Sequence, residues 1–257
     1  MARTIDHGSD RPAYRQIADH LRAAILSGEL PPGKQLPSER ALMESYGAAR
    51  GTVRQAIATL RAEGLIDIEH GRGAFARRRP PVRRLAYDRF ARRHRDAGKA
   101  AYLIELEAEG RRPDVEVLAI ESQPASPDIA ERLGLAEGTP VLVRRRRYLA
   151  DGEPMEIATS YLPLSLVEGS PFTKENTGPG GIYARLEELG HRLQRFTEDV
   201  TARMPLPEEV RALHLSPGVP VFVLVRTAFD TEGTAVEVCD TVMAADQYVL
   251  SYELPAR

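Results

Sequence analysis

The sequence predicts an α+β protein in two parts: a small helical head closed by a β-hairpin, and a larger body built on an antiparallel sheet with an internal pseudo-two-fold repeat. Three observations predict this. Between Pro12 and Gly64, apolar residues recur at helical spacing and are punctuated by glycine and proline. From Leu65 to Ala76 the period shortens to that of a strand on either side of a glycine-rich tip. Farther on, Pro127, Leu133, Leu135, Gly138, Pro140 and Val141 return as Pro207, Leu213, Leu215, Gly218, Pro220 and Val221, an offset of about 80 residues.

Taken in order, Pro12 to Ser27 reads as an amphipathic helix whose stripe is Tyr14, Ile17, Ala18, Leu21, Ala24 and Ile25. Gly28 and Pro31-Pro32-Gly33 end it, because proline cannot continue a helix and glycine accepts the terminating left-handed conformation. Ser38 is placed to cap a second helix, Glu39 to Tyr46, closed by Gly47. A third helix starts at Arg50 or Gly51 and runs to Glu63, burying Val53, Ile57 and Leu60. The short turn between these two helices has the helix-turn-helix length, in which the second helix enters the major groove of DNA. Leu65 to Glu69, the His70-Gly71-Arg72-Gly73 tip and Ala74 to Ala76 form a hairpin, or wing. The expected domains are therefore 1–78, a linker at 79–86 carrying Arg79, Pro80 and Pro81, and a body at 87–257. Each repeat in the body reads as a short helix, a Gly-Pro turn and two strands joined by a tight turn, Ala150-Asp151-Gly152 or Asp230 to Gly233. Between the copies, Ile182 to Leu189 is a helix preceded by the glycine-rich Thr177 to Gly181.

The formal net charge of −2 hides a division. Residues 1–95 hold 19 Lys and Arg against 10 Asp and Glu, so that N-terminal segment is basic and the remainder acidic. A basic segment on an acidic body suits a polyanion partner, since each phosphate contact releases counterions. The lone cysteine, Cys239, excludes an intrachain disulfide and a cysteine zinc cage. No stretch approaches the roughly 20 apolar residues that span a bilayer, so a cytoplasmic protein without a membrane partner is expected.

The ordered set Pro12-x-Tyr14-x-Gln16-Ile17, Gly28-Glu29-Leu30-x-Pro32-Gly33, Leu36-Pro37-Ser38-Glu39-Arg40, Arg50-Gly51-Thr52-Val53-Arg54, Glu63-Gly64-Leu65 and Gly71-Arg72-Gly73 closely resembles the winged helix-turn-helix of GntR-family regulators. The resemblance covers residues 11–77. It implies that Arg40, Arg50, Thr52 and Arg54 meet base edges or phosphates of double-stranded DNA, with His70, Gly71 and Arg72 at the minor groove. The residue reading agrees, because Arg50, Thr52 and Arg54 open the third helix and Arg50 and Arg54 share one face. Ala48-Ala49 stands where the family usually has Val-Ser or Val-Thr, which removes a capping hydroxyl worth about 1 kcal/mol.

Residues 87–257 resemble the chorismate-lyase-like UTRA ligand-binding domain of the HutC subfamily, on Leu133-Gly134-Leu135-x-x-Gly138-x-Pro140-Val141, Ala150-Asp151-Gly152-Glu153-Pro154 and Ser160-Tyr161-Leu162-Pro163. Strand alternation puts Arg144, Arg146 and Tyr148 on one face, and the resemblance registers that face to the family's effector pocket. Glu237, Asp240 and Tyr248 are further candidates from the second repeat. An arginine fork favours an anionic small-molecule effector. Ala158 replaces the pocket glutamate of the family, and Ala101 to Ile104 lacks the Ser/Thr segment that holds sugar phosphates.

The resemblance implies a homodimeric repressor, released from a short palindromic operator by its effector, with no cofactor, no metal and no catalytic residues. The alternatives are a chorismate-lyase-like enzyme and an effector-independent repressor of plasmid type. No Gly-x-Ser-x-Gly, His-Glu-x-x-His or phosphate-loop motif supports an enzyme, and the six histidines are scattered without ligand spacing.

Overall fold

A computed structural model describes residues 5–6, 8–69, 71–77, 82–86, 88–254 and 256. The chain divides into two compact units, 1–80 with 215–219, and 81–214 with 220–257.

In the first unit, α1 (Ala13–Leu26), α2 (Glu39–Tyr46) and α3 (Arg50–Ala62) precede an antiparallel hairpin of β1 (Ile66–Glu69) and β2 (Gly73–Ala76). The expected stripes form its core: Ile17, Ala18 and Leu21 from α1 pack with Leu42 and Tyr46 from α2, and with Val53, Ile57 and Leu60 from α3. Ser38 Oγ accepts the backbone N–H of Ala41 at 3.1 Å, so the second helix is capped as the sequence requires. Gly47 ends it at φ +61, a left-handed conformation that costs glycine nothing. The segment before α2 leans on the wing, with the Leu36 N–H bonded to the Ala74 carbonyl at 2.8 Å and Gln35 bridging Phe75.

The second unit carries a six-stranded antiparallel sheet. Its strands are β4 (Pro113–Pro124), β5 (Pro140–Ala150), β6 (Glu153–Pro163), β7 (Leu193–Arg203), β8 (Val221–Asp230) and β9 (Ala235–Ala244). The order β4-β5-β6-β9-β8-β7 places the two repeats back to back, with β6 pairing β9 at the centre, so the sequence repeat is a structural two-fold. Helices α6 (Pro127–Leu133) and α9 (Pro207–Ala212) repeat at the same offset. So do α5 (Ala101–Ala108) and α8 (Gly181–Glu188), whose sequences share no pattern. Short α4 (Arg92–Asp96) and α7 (Leu164–Val167) complete the helices described here. The β5–β6 turn has positive φ at both Asp151 (+55) and Gly152 (+84), the backbone twist that closes a two-residue hairpin.

One sheet face packs Ile129, Ala130 and Leu133 of α6 against Val141 and Val143. The other face carries two separate apolar clusters. Leu142, Leu162, Phe172, Ile182 and Leu186 lie at one end, and Ala150, Met155, Leu106, Met243 and Tyr248 at the other.

Val82–Leu85, which the sequence reading assigns to the linker, instead form a strand, β3, paired in parallel with β10 (Tyr248–Ser251). The arginines that suggest a solvated linker mislead here, because Arg84 is 3% exposed and ion-paired inside the body.

Candidate functional site

The head presents its cations from α2, α3 and the wing. Arg50, Arg54 and Arg40 are 70%, 67% and 88% exposed, so none of them is needed to fill the core. Glu39 organises the first two: Arg50 Nε lies 2.9 Å from one carboxylate oxygen and Arg54 Nε 3.7 Å from the other. Arg40 pairs with Glu44 at 2.9 Å. Thr52 stands half-buried between them on the first turn of α3. Ala49 gives that turn no side-chain cap, which leaves its N–H groups for an external acceptor such as a phosphate oxygen. At the wing tip Gly71 has φ +75, and Arg72 pairs with Glu69 while lying over the Phe75 ring at 5.5 Å. His70 lies outside the described residues.

In the body, the row Leu142, Arg144, Arg146, Tyr148, Ala150 along β5 joins the two apolar clusters, and Arg146 and Tyr148 in it face a cavity of about 690 Å3 including its open mouth. Arg146 and Tyr148 line it, as do Glu156, Ala158, Arg226, Glu237, Cys239 and Thr241 from the neighbouring strands. Its roof includes Ala100 and Ala101 at the start of α5, and Gly180 and Gly181 at the start of α8. Gly180 has φ +78, and a Cβ there would come within 2.6 Å of the Ala184 Cβ one turn along α8, so this left-handed start of the helix requires glycine.

Most of the lining charge is internally balanced. Arg84 Nη1 reaches Glu156 at 3.1 Å and Arg89 Nε reaches Glu105 at 3.0 Å. Arg95 meets Glu187 at 3.1 Å, Lys99 pairs with Glu107, and Arg226 meets Glu198 at 3.3 Å while donating to the Tyr183 hydroxyl at 2.9 Å. Arg146 differs. It donates to Ser160 Oγ at 3.0 Å and lies over the Tyr148 ring at 5.4 Å, but among the described residues no carboxylate is within salt-bridge distance of it. Burial pushes the Tyr148 phenol up to about 12 against the pull of Arg146, and burial followed by Glu237 raises the Cys239 thiol. Both are therefore neutral donors at neutral pH.

Three of the sequence-predicted residues do not reach the cavity. Arg144 is on the expected face but 1% exposed, and its guanidinium donates to the carbonyls of Phe172, Lys174 (2.6 Å) and Glu175 (3.0 Å). Burial first, and Arg146 second, pull it down to about 10, still charged at neutral pH. Asp240 falls between the lining residues Cys239 and Thr241 and so points to the opposite sheet face. Tyr248 is not among the lining residues but is buried directly behind them, packed with Tyr102, its phenol raised by burial and then by Glu156. Arg84, Arg89, Glu156 and Arg226 are the residues that sequence reasoning missed. Arg226 was findable, since it stands at the repeat offset from Arg146.

The Arg144 contacts carry a stability prediction. Arg144→Met keeps the length but leaves three carbonyls without their donor, that of Phe172 buried and those of Lys174 and Glu175 partly so, at about 1–3 kcal/mol for each that stays dry. A loss of about 3 kcal/mol in chemical denaturation is expected, with earlier proteolysis at 172–175. Wild-type stability would show that water replaces the guanidinium.

A winged head with outward-facing arginines at the start of its third helix, joined to a body with a charged cavity, defines a DNA-binding transcription regulator. The model for the gntR family of bacterial regulatory proteins matches residues 13–76, and the UTRA domain model matches residues 108–249. An HTH-type transcriptional regulator of Streptomyces coelicolor is 34% identical over 248 residues, covering 94% of this chain and 92% of its own. The HTH-type transcriptional repressor NagR of Bacillus subtilis is 28% identical across 95% of each chain. A crystal structure of a GntR-family transcriptional regulator superposes with a TM-score of 0.62 at 32% identity, over 96% of this chain and 99% of that one. The chain belongs to the GntR family, in its UTRA-bearing HutC branch, and its relatives are regulators rather than enzymes. No helix among the described residues is long and apolar enough to cross a membrane.

Proposed function

We propose that the protein is a dimeric repressor whose two α3 helices read the halves of a short palindrome, each wing entering the adjacent minor groove, and that a small acid-bearing effector in the body cavity releases it. One observation carries the effector half of this reading: Arg146, a guanidinium without an acid partner, stands in the polar gap between two apolar clusters. A planar two-pronged donor in such a setting suits a carboxylate or phosphate. The repressor half draws on NagR, which is named a repressor, and on the exposed arginines of the head. Arg84 links the two halves of the idea. It lines the cavity from β3, the first element of the body to follow the head in sequence, so an occupant that shifts Arg84 acts on the body's N-terminal strand.

The test is anisotropy titration of labelled DNA from upstream of the protein's own gene against scrambled DNA, at two salt concentrations. Two chains per site, sequence-selective binding and a steep salt slope are expected. Small acids screened on this complex should weaken it through a coupling of about 1–3 kcal/mol, and the operator should weaken acid binding equally. Arg146→Ala should keep operator affinity and lose the response to acids. Equal affinity of wild-type protein for both DNAs refutes the reading, and a response that survives Arg146→Ala refutes the assigned pocket.

A further inference from the structure

The two repeats place equivalent charges in the cavity but neutralise them differently. Arg146 lies opposite Ala158 in the first copy, and Arg226 opposite Cys239 in the second. Tyr148 with Glu156 corresponds likewise to Ala228 with Glu237. The fold thus contributes two arginines and two glutamates related by its pseudo-two-fold. In the second copy Glu198 of β7 sits across from Arg226 and pairs with it. In the first copy the matching stretch of β4 bulges between Val117 and Ala119 and offers Leu118, so Arg146 gains no carboxylate. For the glutamates the imbalance reverses. Glu156 takes Arg84 as its partner, whereas Glu237 is 1% exposed and has both carboxylate oxygens without a hydrogen-bond donor. Tyr183 is near enough for Glu237 to add to the rise that burial imposes on its phenol, in a geometry that leaves both oxygens unsatisfied.

Arg146 and Glu237 therefore line the same cavity and act on each other through space, but among the described residues they stand outside ion-pair distance and neither has an ion-pair partner. Resting on the reading of this cavity as an effector site, we propose that its effector is zwitterionic: an acid group bound by Arg146 and an ammonium or comparable cationic N–H group bound by Glu237. A simple anion would satisfy Arg146 yet bring a second negative charge beside a buried, unpaired carboxylate, and uncompensated buried charge is strongly disfavoured. A neutral hydroxyl would give Glu237 a hydrogen bond but no opposite charge. A molecule with both groups satisfies both residues and leaves the cavity's net charge unchanged.

The test uses the full chain and matched probes. β-Alanine, γ-aminobutyrate and δ-aminovalerate are compared with propionate, butyrate and valerate, and with propylamine, butylamine and pentylamine, at neutral pH and equal ionic strength. Thermal shift of the body is the readout. The expected result is that one amino acid stabilises the protein more than the carboxylate and the amine of its own length. Glu237→Gln should remove that advantage, weakening the amino acid about tenfold while the carboxylate binds as well or better. Comparing ligands within one variant separates binding from any change in folding. If carboxylates bind as well as the amino acids and need Arg146, the zwitterion inference is overturned and the effector pocket stands. If no probe binds, or binding ignores both Arg146→Ala and Glu237→Gln, inference and pocket fall together.

Discussion

Replacing Arg54 with alanine is expected to cost about 1–3 kcal/mol of operator binding, roughly five- to 150-fold in affinity, and to leave the melting of the head within about 0.5 kcal/mol of wild type. The side chain is 67% exposed and touches none of the core stripe of α3, so its loss removes charge and hydrogen bonds but no packing. Its nearest acid, Glu39, keeps Arg50 as a closer partner at 2.9 Å, so no carboxylate is stranded. Arg54→Lys divides the effect. Lysine restores a phosphate contact but not a bidentate fork on a base, so recovery of both affinity and salt slope would assign Arg54 to the backbone. Loss of discrimination between operator and scrambled DNA in both variants would assign it to a base edge. Unchanged binding in Arg54→Ala would move recognition elsewhere on α3.

The head is legible in its sequence because local rules decide it. Helical stripes fix which face is buried, Ser38 and Gly47 bracket α2, and Gly71 and Gly73 mark the wing, all within a short stretch of chain. The two-fold of the body is legible too, through the Leu-x-Leu and Gly-x-Pro spacing that each copy repeats. The cavity is less so, because it is made between elements. Strand alternation places Arg144 and Arg146 on one face correctly, yet only the three carbonyls supplied by residues 172–175 decide that Arg144 is consumed as structure. Glu156 and Arg84 escape for related reasons. The family's pocket glutamate is sought at Ala158, while the carboxylate in this chain sits two residues along the same face. Its partner Arg84 belongs to a run of arginines and prolines that reads as solvated linker.

That hidden pair gives the second large effect. Arg84→Met should destabilise the body by about 3–5 kcal/mol, because it strands the buried Glu156 carboxylate rather than merely deleting a contact. Arg84 Nη1 is 3.1 Å from Glu156 and its Nε is 3.9 Å from Glu105, and all three side chains are at most 4% exposed. Burial raises the Glu105 carboxyl from its ordinary 4.5 to about 8, with Arg84 pulling the other way. A carboxyl raised in the folded state keeps its contribution to stability below the ordinary range and loses it as pH climbs through the folded value. Wild-type stability should thus decline between about pH 5 and pH 8, and removing Arg84 should steepen the decline by raising Glu105 further. Denaturation at the two ends of that window measures both effects. Adding Glu156→Leu to Arg84→Met should recover part of the loss, since an apolar replacement of both partners removes the stranded charge. If Arg84→Met were nearly neutral and its pH dependence flat, Arg89, 3.0 Å from Glu105, would be holding the cluster alone. In that case β3 would be anchored to the cavity by its backbone pairing with β10, not by charge.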